Sequence, residues 1–287
     1  MARTRPVLSH VVSTHTLEGG GFPVTRPFPT QVLMQADPFL LLDHLGPVRW
    51  APGEAIGAPE HPHRGFEAVT YLLQGRMCHE DSFGHKGELN PGDVQWMTAG
   101  SGLVHSELPH PEFLAQGGVM EGFQIWVNLP ASHKMAPPKY QEVPNQKLAK
   151  FEKPSCKVTL IAGELDGHKG PVETVRPVLC AHLELEAGAD LELPLPPVLT
   201  LYLYVIHGQG RFGEQTAPAQ AGDFLFFGAG ETVHLEAQDG PVSVLLLGGE
   251  PLQEPVARYG PFVMNTKAEV LQAFADFEAG KMGRIGT

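Results

Sequence analysis

Cysteine is scarce in this chain of 287 residues: Cys78, Cys156 and Cys180 are the three present. They are odd in number, widely spaced and form no C-x-x-C, so neither a disulfide framework nor a thiolate zinc site is suggested, and a reducing compartment fits best. Positive charge is also short. Lys and Arg number 20 against 32 Asp and Glu, a formal net charge of −12 with histidine neutral. That field repels phosphate backbones, and direct nucleic-acid binding is not expected. Charged residues make 18% of the chain and hydrophobic ones 42%, the reverse of what disorder requires. No stretch approaches the roughly 18 apolar residues of a membrane helix, and the basic start MARTRPVLSHVVSTHTLEGG lacks the apolar run of a signal peptide. A soluble, cytoplasmic protein with no membrane partner is expected. Ser-His-Asp order, a phosphate loop and a dinucleotide fingerprint are all missing.

What is abundant is turn chemistry and histidine. The chain holds 33 glycines and 27 prolines without a collagen-like period, as a fold of many short strands requires. At roughly 150 residues per domain the length suits two domains. Runs of β-branched and aromatic residues at 66–75, 119–129, 157–162, 179–185, 199–206 and 242–247 read as strands, separated by turn clusters such as Asn90-Pro91-Gly92-Asp93. The spacing predicts an all-β sandwich or barrel. One helix closes the chain: Thr266 and Glu269 form a capping-box signature, Val270, Leu271, Phe274 and Phe277 are placed on its apolar face, and Gly280 ends it.

The sequence also repeats itself. Gly92-Asp93, followed by His105 and Glu107, is echoed by Gly222-Asp223, followed by His234 and Glu236, at an offset of 130 slipping to 129. Each copy follows a strand ending in glycine, at Gly75 and Gly208. Two copies of one β-barrel unit are therefore expected, joined near 130–155, with domains assigned to 1–135 and 136–287 and the terminal helix in the second.

Chemistry concentrates at His61-Pro62-His63, followed by Glu67, and at His105-Ser106-Glu107. On a strand, residues i and i+2 share a face with about 6.6 Å between Cα atoms, so each pair can aim two side chains at one ion. Together the pairs supply three imidazoles and one carboxylate, a set suited to Fe, Ni, Cu, Zn or Mn and not to Ca or Mg. The ordinary alternative is a pair of surface-loop histidines beside prolines.

HPHRGFEAVTYLLQG, HEDSFGHKGELNPGDVQWMTAG, GLVHSELP, FQIWVNLP and GEPLQEPVARYGPFVMNT resemble the signature segments of the pirin family, within the cupin superfamily, and the likeness runs from Asp37 to the terminal helix. The resemblance implies a bicupin, two antiparallel jelly-roll barrels with a C-terminal helix, and one mononuclear Fe(II) in the N-terminal barrel. Other divalent metals (Ni, Cu, Mn, Zn) remain open. The family's ligands match His61, His63, His105 and Glu107. Cupins in general take their carboxylate after the H-x-H pair, where Glu67 stands here; the pirin match selects Glu107 and leaves Glu67 behind the ligands. Counting back from Gly208 places Pro194 and Pro196 where the second barrel would carry H-x-H, so no metal is expected there.

Other residues carry ordinary readings. Arg64 has opposite parity to the histidines and is expected to hold a loop. His79, Glu80, Asp81 and His85 read as a structural turn, and Asp43 as a hydrogen-bonded residue at a strand end. Phe66, Trp96, Met97, Phe123 and Trp126 are core by default, a few of them able to wall a pocket. Cys78 has no base partner for nucleophilic work. The resemblance implies quercetin 2,3-dioxygenase activity, with a flavonol and O₂ as substrates and Glu107 accepting the substrate proton. The alternative it implies is a non-catalytic, iron-responsive regulator acting on protein partners. A monomer is expected.

Overall fold

The computed structural model describes residues 2–286. The chain divides into two compact units that exchange ends: residues up to Thr14 join Gln146–Pro251, and His15–Asn145 joins the chain from Leu252 onward. A division at 135/136 therefore assigns both termini differently. The physical reason is strand pairing, which ignores sequence distance. The strand Val7–Val12 pairs antiparallel with Asp223–Phe227, and the segment following Pro255 forms a bridge from Phe262 to Arg64. The strand Lys139–Val143, placed by that division in the second domain, pairs with Val94–Thr98 in the first.

Each unit holds a seven-stranded and a four-stranded antiparallel sheet. In the unit built on His15–Asn145 the large sheet runs Lys139–Val143, Val94–Thr98, Phe66–Gln74, Gly118–Asn128, Phe39–Trp50, Phe22–Phe28, Thr14–Glu18. Its small sheet runs Ala58–His63, Leu103–Pro109, Met77–Asp81, Lys86–Leu89. The strands expected from the β-branched and aromatic runs all form, because such side chains fit a pleated surface buried on one face or both.

The terminal helix, Lys267–Glu278, starts at the expected capping box of Thr266 and Glu269. Its buried face is Val270, Ala273 and Asp276, with Phe274 partly buried, packed on Val104, Phe262 and Met264. Leu271 is 70% exposed, contrary to expectation. One residue on a helix turns the side chain by about 100°, which carries it off the face of Val270.

The other unit has a filled interior. Leu183, Leu193, Leu203, Leu225, Leu235 and Leu246 are fully buried members of one apolar cluster.

Candidate metal centre

Two adjacent strands build the site. Ala58–His63 pairs antiparallel with Leu103–Pro109, His61 directly opposite His105 and His63 opposite Leu103. The period-2 alternation puts His61 and His63 on one face, and His105 and Glu107 on the face of the neighbouring strand. The Nε2 atom of His61 lies 3.0 Å from that of His63 and 2.9 Å from that of His105. Among the described residues these three imidazoles are the group with metal-ligand spacing.

The three nitrogens fit a transition ion. Two nitrogens bound at right angles and ~2.1 Å from an ion stand ~3.0 Å apart, the spacing that His61 Nε2 keeps from each of the other two, and all three lie within 4.8 Å of one another. The far ring nitrogens set the tautomer: His61 Nδ1 donates to the Pro59 carbonyl at 2.7 Å, and His63 Nδ1 to the Pro261 carbonyl at 3.4 Å. Each bond leaves Nε2 as a lone pair facing the cluster. His105 Nδ1 is buried without a hydrogen-bond partner. Burial first, and the neighbouring imidazoles second, hold His63 and His105 well below the usual histidine range, so both are neutral at physiological pH, the form that could ligate an ion.

Glu107 is buried and faces the same cavity as His61 and His63, outside the tight imidazole group. Thr70 Oγ1 donates to its Oε1 at 2.7 Å. Glu67 points elsewhere. It shares a strand with Thr70, three residues away and thus on the other face, and accepts from Thr98 Oγ1 at 2.7 Å; burial raises its pKa. The parity that gave Glu67 the same face as His63 was counted through Gly65, whose φ of +89° breaks the strand between His63 and Phe66.

The cavity measures about 490 Å³. Phe22, Leu41, Leu45, Met77 and Trp126 give it apolar walls, and Asp43, Gln124 and Arg258 polar ones. Asp43 lies inside the strand Phe39–Trp50, not at its end, and takes two bonds from Arg26 at 2.6 and 2.5 Å. Trp126 stacks on Phe66 at 4.2 Å and stands edge-on to His63 at 5.1 Å. Phe66, Trp96, Met97 and Phe123 are core. Arg64 holds the loop as expected: Nε donates to Ser101 O at 2.7 Å and Nη1 to Asp276 at 2.8 Å. His79, Glu80 and Asp81 lie in the strand Met77–Asp81 and not in a turn, because that stretch pairs with Leu103–Pro109; His79 is bonded to Glu142 at 2.8 Å, Glu80 to Lys86 at 2.7 Å and His85 to Asp81 at 2.9 Å.

Sequence reasoning missed Lys134 and Arg258. Lys134 lay in a stretch without periodicity, and Arg258 within a family segment whose individual roles the pattern does not reveal. Lys134 is 2% exposed and its Nζ donates to Gly65 O at 2.7 Å, Asn128 Oδ1 at 2.8 Å and Val263 O at 3.0 Å. It thereby pins the turn after His63.

In the second unit the strand pairing corrects the expected equivalences. Leu191 stands opposite Leu235 and Leu193 opposite Val233, matching His61 with His105 and His63 with Leu103. The four candidate ligand positions therefore correspond to Leu191, Leu193, Leu235 and Ala237, each 130 residues later, and not to Pro194 and Pro196. All four belong to the buried apolar cluster. His234 is on the outer face, paired with Asp190 at 2.9 Å.

Two units of paired antiparallel sheets, one carrying a three-histidine cluster beneath an apolar cavity, define a bicupin. The pirin profile matches residues 21–127 and the pirin C-terminal cupin profile residues 180–283. A tomato (Solanum lycopersicum) pirin-like protein is 42% identical, covering 98% of this chain and 94% of its own. Human pirin is 42% identical, covering 99% and 96%. The crystal structure of a quercetin 2,3-dioxygenase from Acinetobacter baumannii superposes with a TM-score of 0.92 at 37% identity, covering 97% of this chain and 98% of that one. The chain belongs to the pirin family. No helix among the described residues is long and apolar enough to cross a membrane.

Proposed function

We propose that the protein is a quercetin 2,3-dioxygenase that works with one Fe(II) held by His61, His63, His105 and Glu107. The observation that carries this reading is the convergence of three imidazoles, His61, His63 and His105, the first two of them lining a cavity of about 490 Å³ with apolar walls. The Acinetobacter relative that bears the same activity in its name adds support.

A divalent transition ion bound there supplies a Lewis acid and a one-electron partner for O₂. The chain's own residues do the rest. Phe22, Leu41 and Trp126 receive the planar rings and exclude water from them. Thr70 donates to Glu107 Oε1 and fixes the carboxylate beside the imidazole cluster, where it would take the proton of the flavonol's 3-hydroxyl. The resulting enolate is electron-rich; O₂ adds across it, the heterocycle opens and one ring carbon leaves as carbon monoxide. The bonds from His61 to Pro59 O and from His63 to Pro261 O keep the imidazoles fixed throughout.

Anaerobic loading with Fe(II), followed by quercetin and air, tests the proposal by matching carbon monoxide release to O₂ uptake. Glu107→Gln is expected to lower turnover roughly 10²-fold beyond any loss of metal. If fully loaded protein releases no carbon monoxide and consumes no O₂, the regulator reading replaces this one. Equal turnover by chelator-treated protein would discard the mechanism.

A further inference from the structure

The cavity is lined by one arginine, Arg258, that makes no ion pair among the described residues. Arg258 lines the wall with its guanidinium carbon 4.6 Å from the centre of the Trp126 ring. Phe66 is stacked on the same indole at 4.2 Å. The guanidinium carries five N–H groups, and one bond is made, from Nη1 to the Leu40 carbonyl at 3.1 Å. Among the described residues no carboxylate lies within ion-pair distance of it. The two nearest acids of the lining are already engaged: Asp43 takes Nε and Nη2 of Arg26, and Glu18 takes Arg26 Nη2 at 2.5 Å. Burial works against the Arg258 charge, and a half-buried cation in that position gains from any acceptor the cavity receives.

The placement relative to the histidines sets the ligand's shape. The Trp126 ring is 5.1 Å from the His63 ring and 4.6 Å from the guanidinium, which puts Arg258 less than 10 Å from His63. A two- or three-ring aromatic molecule lying along Trp126 spans that separation. One end would present its oxygens to the histidines while the other meets the free N–H groups of Arg258.

We propose that Arg258 is the specificity residue of this cavity: it selects planar aromatic substrates that bear an oxyanion, an ionised phenol or a carboxylate, on the ring remote from the oxygens addressed to the histidines. The inference rests on the reading of the cavity as a flavonol site. Stacking on Trp126 keeps the guanidinium plane fixed, so little side-chain entropy is lost when the anion docks. A lysine at this position would keep the charge and lose the planar fork.

Binding without turnover tests this. The probes are 3-hydroxyflavone, which has no second acidic group, and 3-hydroxyflavone-4′-carboxylate, each titrated into protein loaded with Zn(II) and followed by quenching of tryptophan emission. Wild-type protein is expected to bind the carboxylate roughly 10-fold or more tightly than the parent, the gain of one charge-assisted hydrogen-bond pair. That preference should shrink with added salt. Arg258→Gln should bring the two affinities together with 3-hydroxyflavone nearly unchanged, and Arg258→Lys should retain part of the preference. Equal affinities in the wild type, or equal weakening of both probes by Arg258→Gln, overturns the proposal and leaves Arg258 a wall residue. Should Arg258→Gln lose its metal or its thermal midpoint, the wild-type preference and its salt dependence decide alone. Selective binding of the carboxylate by a protein whose Fe(II) form releases no carbon monoxide would keep this inference and remove the dioxygenase.

Discussion

Replacing Lys134 by methionine removes an ammonium group that is buried among three acceptors, Gly65 O, Asn128 Oδ1 and Val263 O. Each buried acceptor left without a donor costs about 1–3 kcal/mol, or about 6 kcal/mol for the three. Against this stands relief of a buried charge. Burial lowers the Lys134 pKa from 10.5 to about 8, which means the folded protein disfavours the charged form by about 3 kcal/mol relative to the unfolded chain. The net loss at pH 7 is then about 3 kcal/mol, a large share of a typical domain's stability.

The pH dependence gives the signature. Above pH 10.5 the amine is neutral in both states. As pH falls from 10.5 towards 8 the unfolded chain takes up the proton and the folded protein does not, so wild-type stability falls through that window and then levels off below pH 8. Methionine does not titrate, and the gap between wild type and Lys134→Met should widen by about 3 kcal/mol from pH 8 to 10.5. Urea unfolding of chelator-treated protein measures it. The chain's three tryptophans, Trp50, Trp96 and Trp126, lie in the unit that holds Lys134, so their emission reports that unit. A variant as stable as wild type at pH 7, or a gap that stays constant up to pH 10.5, refutes the reasoning.

Metal analysis after reloading should give one ion per chain, with most of it lost from His63→Ala and His105→Ala; a stoichiometry near two contradicts the filled second barrel. Glu107→Gln should weaken metal retention while Glu67→Gln leaves it intact, because the Glu67 carboxyl is buried against Thr98 on the far face of its strand, and the reverse result would reassign the carboxylate. Gly65→Ala should fail to accumulate folded protein, since its Cβ would lie 1.9 Å from Val263 O, whereas Gly84→Ala, at a similar positive φ with open space around it, should cost only about 1 kcal/mol in thermal unfolding. A thiol reagent at pH 8 should titrate only Cys78 in the native state and all three cysteines in urea. Burial pushes Cys156 up to about 11 and Cys180 up to about 12, and their reactivity should rise only as pH climbs towards those values.

The strands were legible in the sequence from their β-branched and aromatic runs, and the candidate ligands from a period of two. The run FEAVTYLLQ shows itself by β-branched and aromatic content, being buried on both faces over its first seven residues, whereas His61 with His63, like His105 with Glu107, keeps the period of two within an unbroken strand. Legibility ended where the backbone left that period. Glu67 lies beyond Gly65, and parity does not survive a residue at φ +89°. The exchanged ends were hidden for a different reason: the partner of Val7–Val12 is more than 200 residues away, and local pattern carries no information about which edge a strand will join. Lys134 and Arg258 were invisible because their roles arise from what the fold brings to them. A lysine in an aperiodic stretch reads as solvated, and only the convergence of Gly65 O, Asn128 and Val263 O makes it a buried cross-link.

The repeat shows how little separates a barrel with candidate metal ligands from one without them. Matching motif to motif aligned His105 with His234 at an offset of 129, whereas strand pairing keeps the offset at 130 and aligns His105 with Leu235. A one-residue slip on a strand moves every side chain to the opposite face. His234 and Glu236 are therefore not remnants of ligands in the ligand positions. They are outward-facing residues next to inward-facing Val233, Leu235 and Ala237, each no more than 1% exposed. With leucines at three of the four ligand-equivalent positions and the surrounding interior packed with apolar side chains, placing histidine at Leu191, Leu193 and Leu235 would bury three imidazoles among apolar neighbours that offer them no hydrogen bonds. The first barrel tolerates the same residues because its interior opens on a cavity and its imidazoles have Pro59 and Pro261 carbonyls to orient them. A metal centre in this fold thus needs the open interior and the carbonyl supports as much as it needs the ligands.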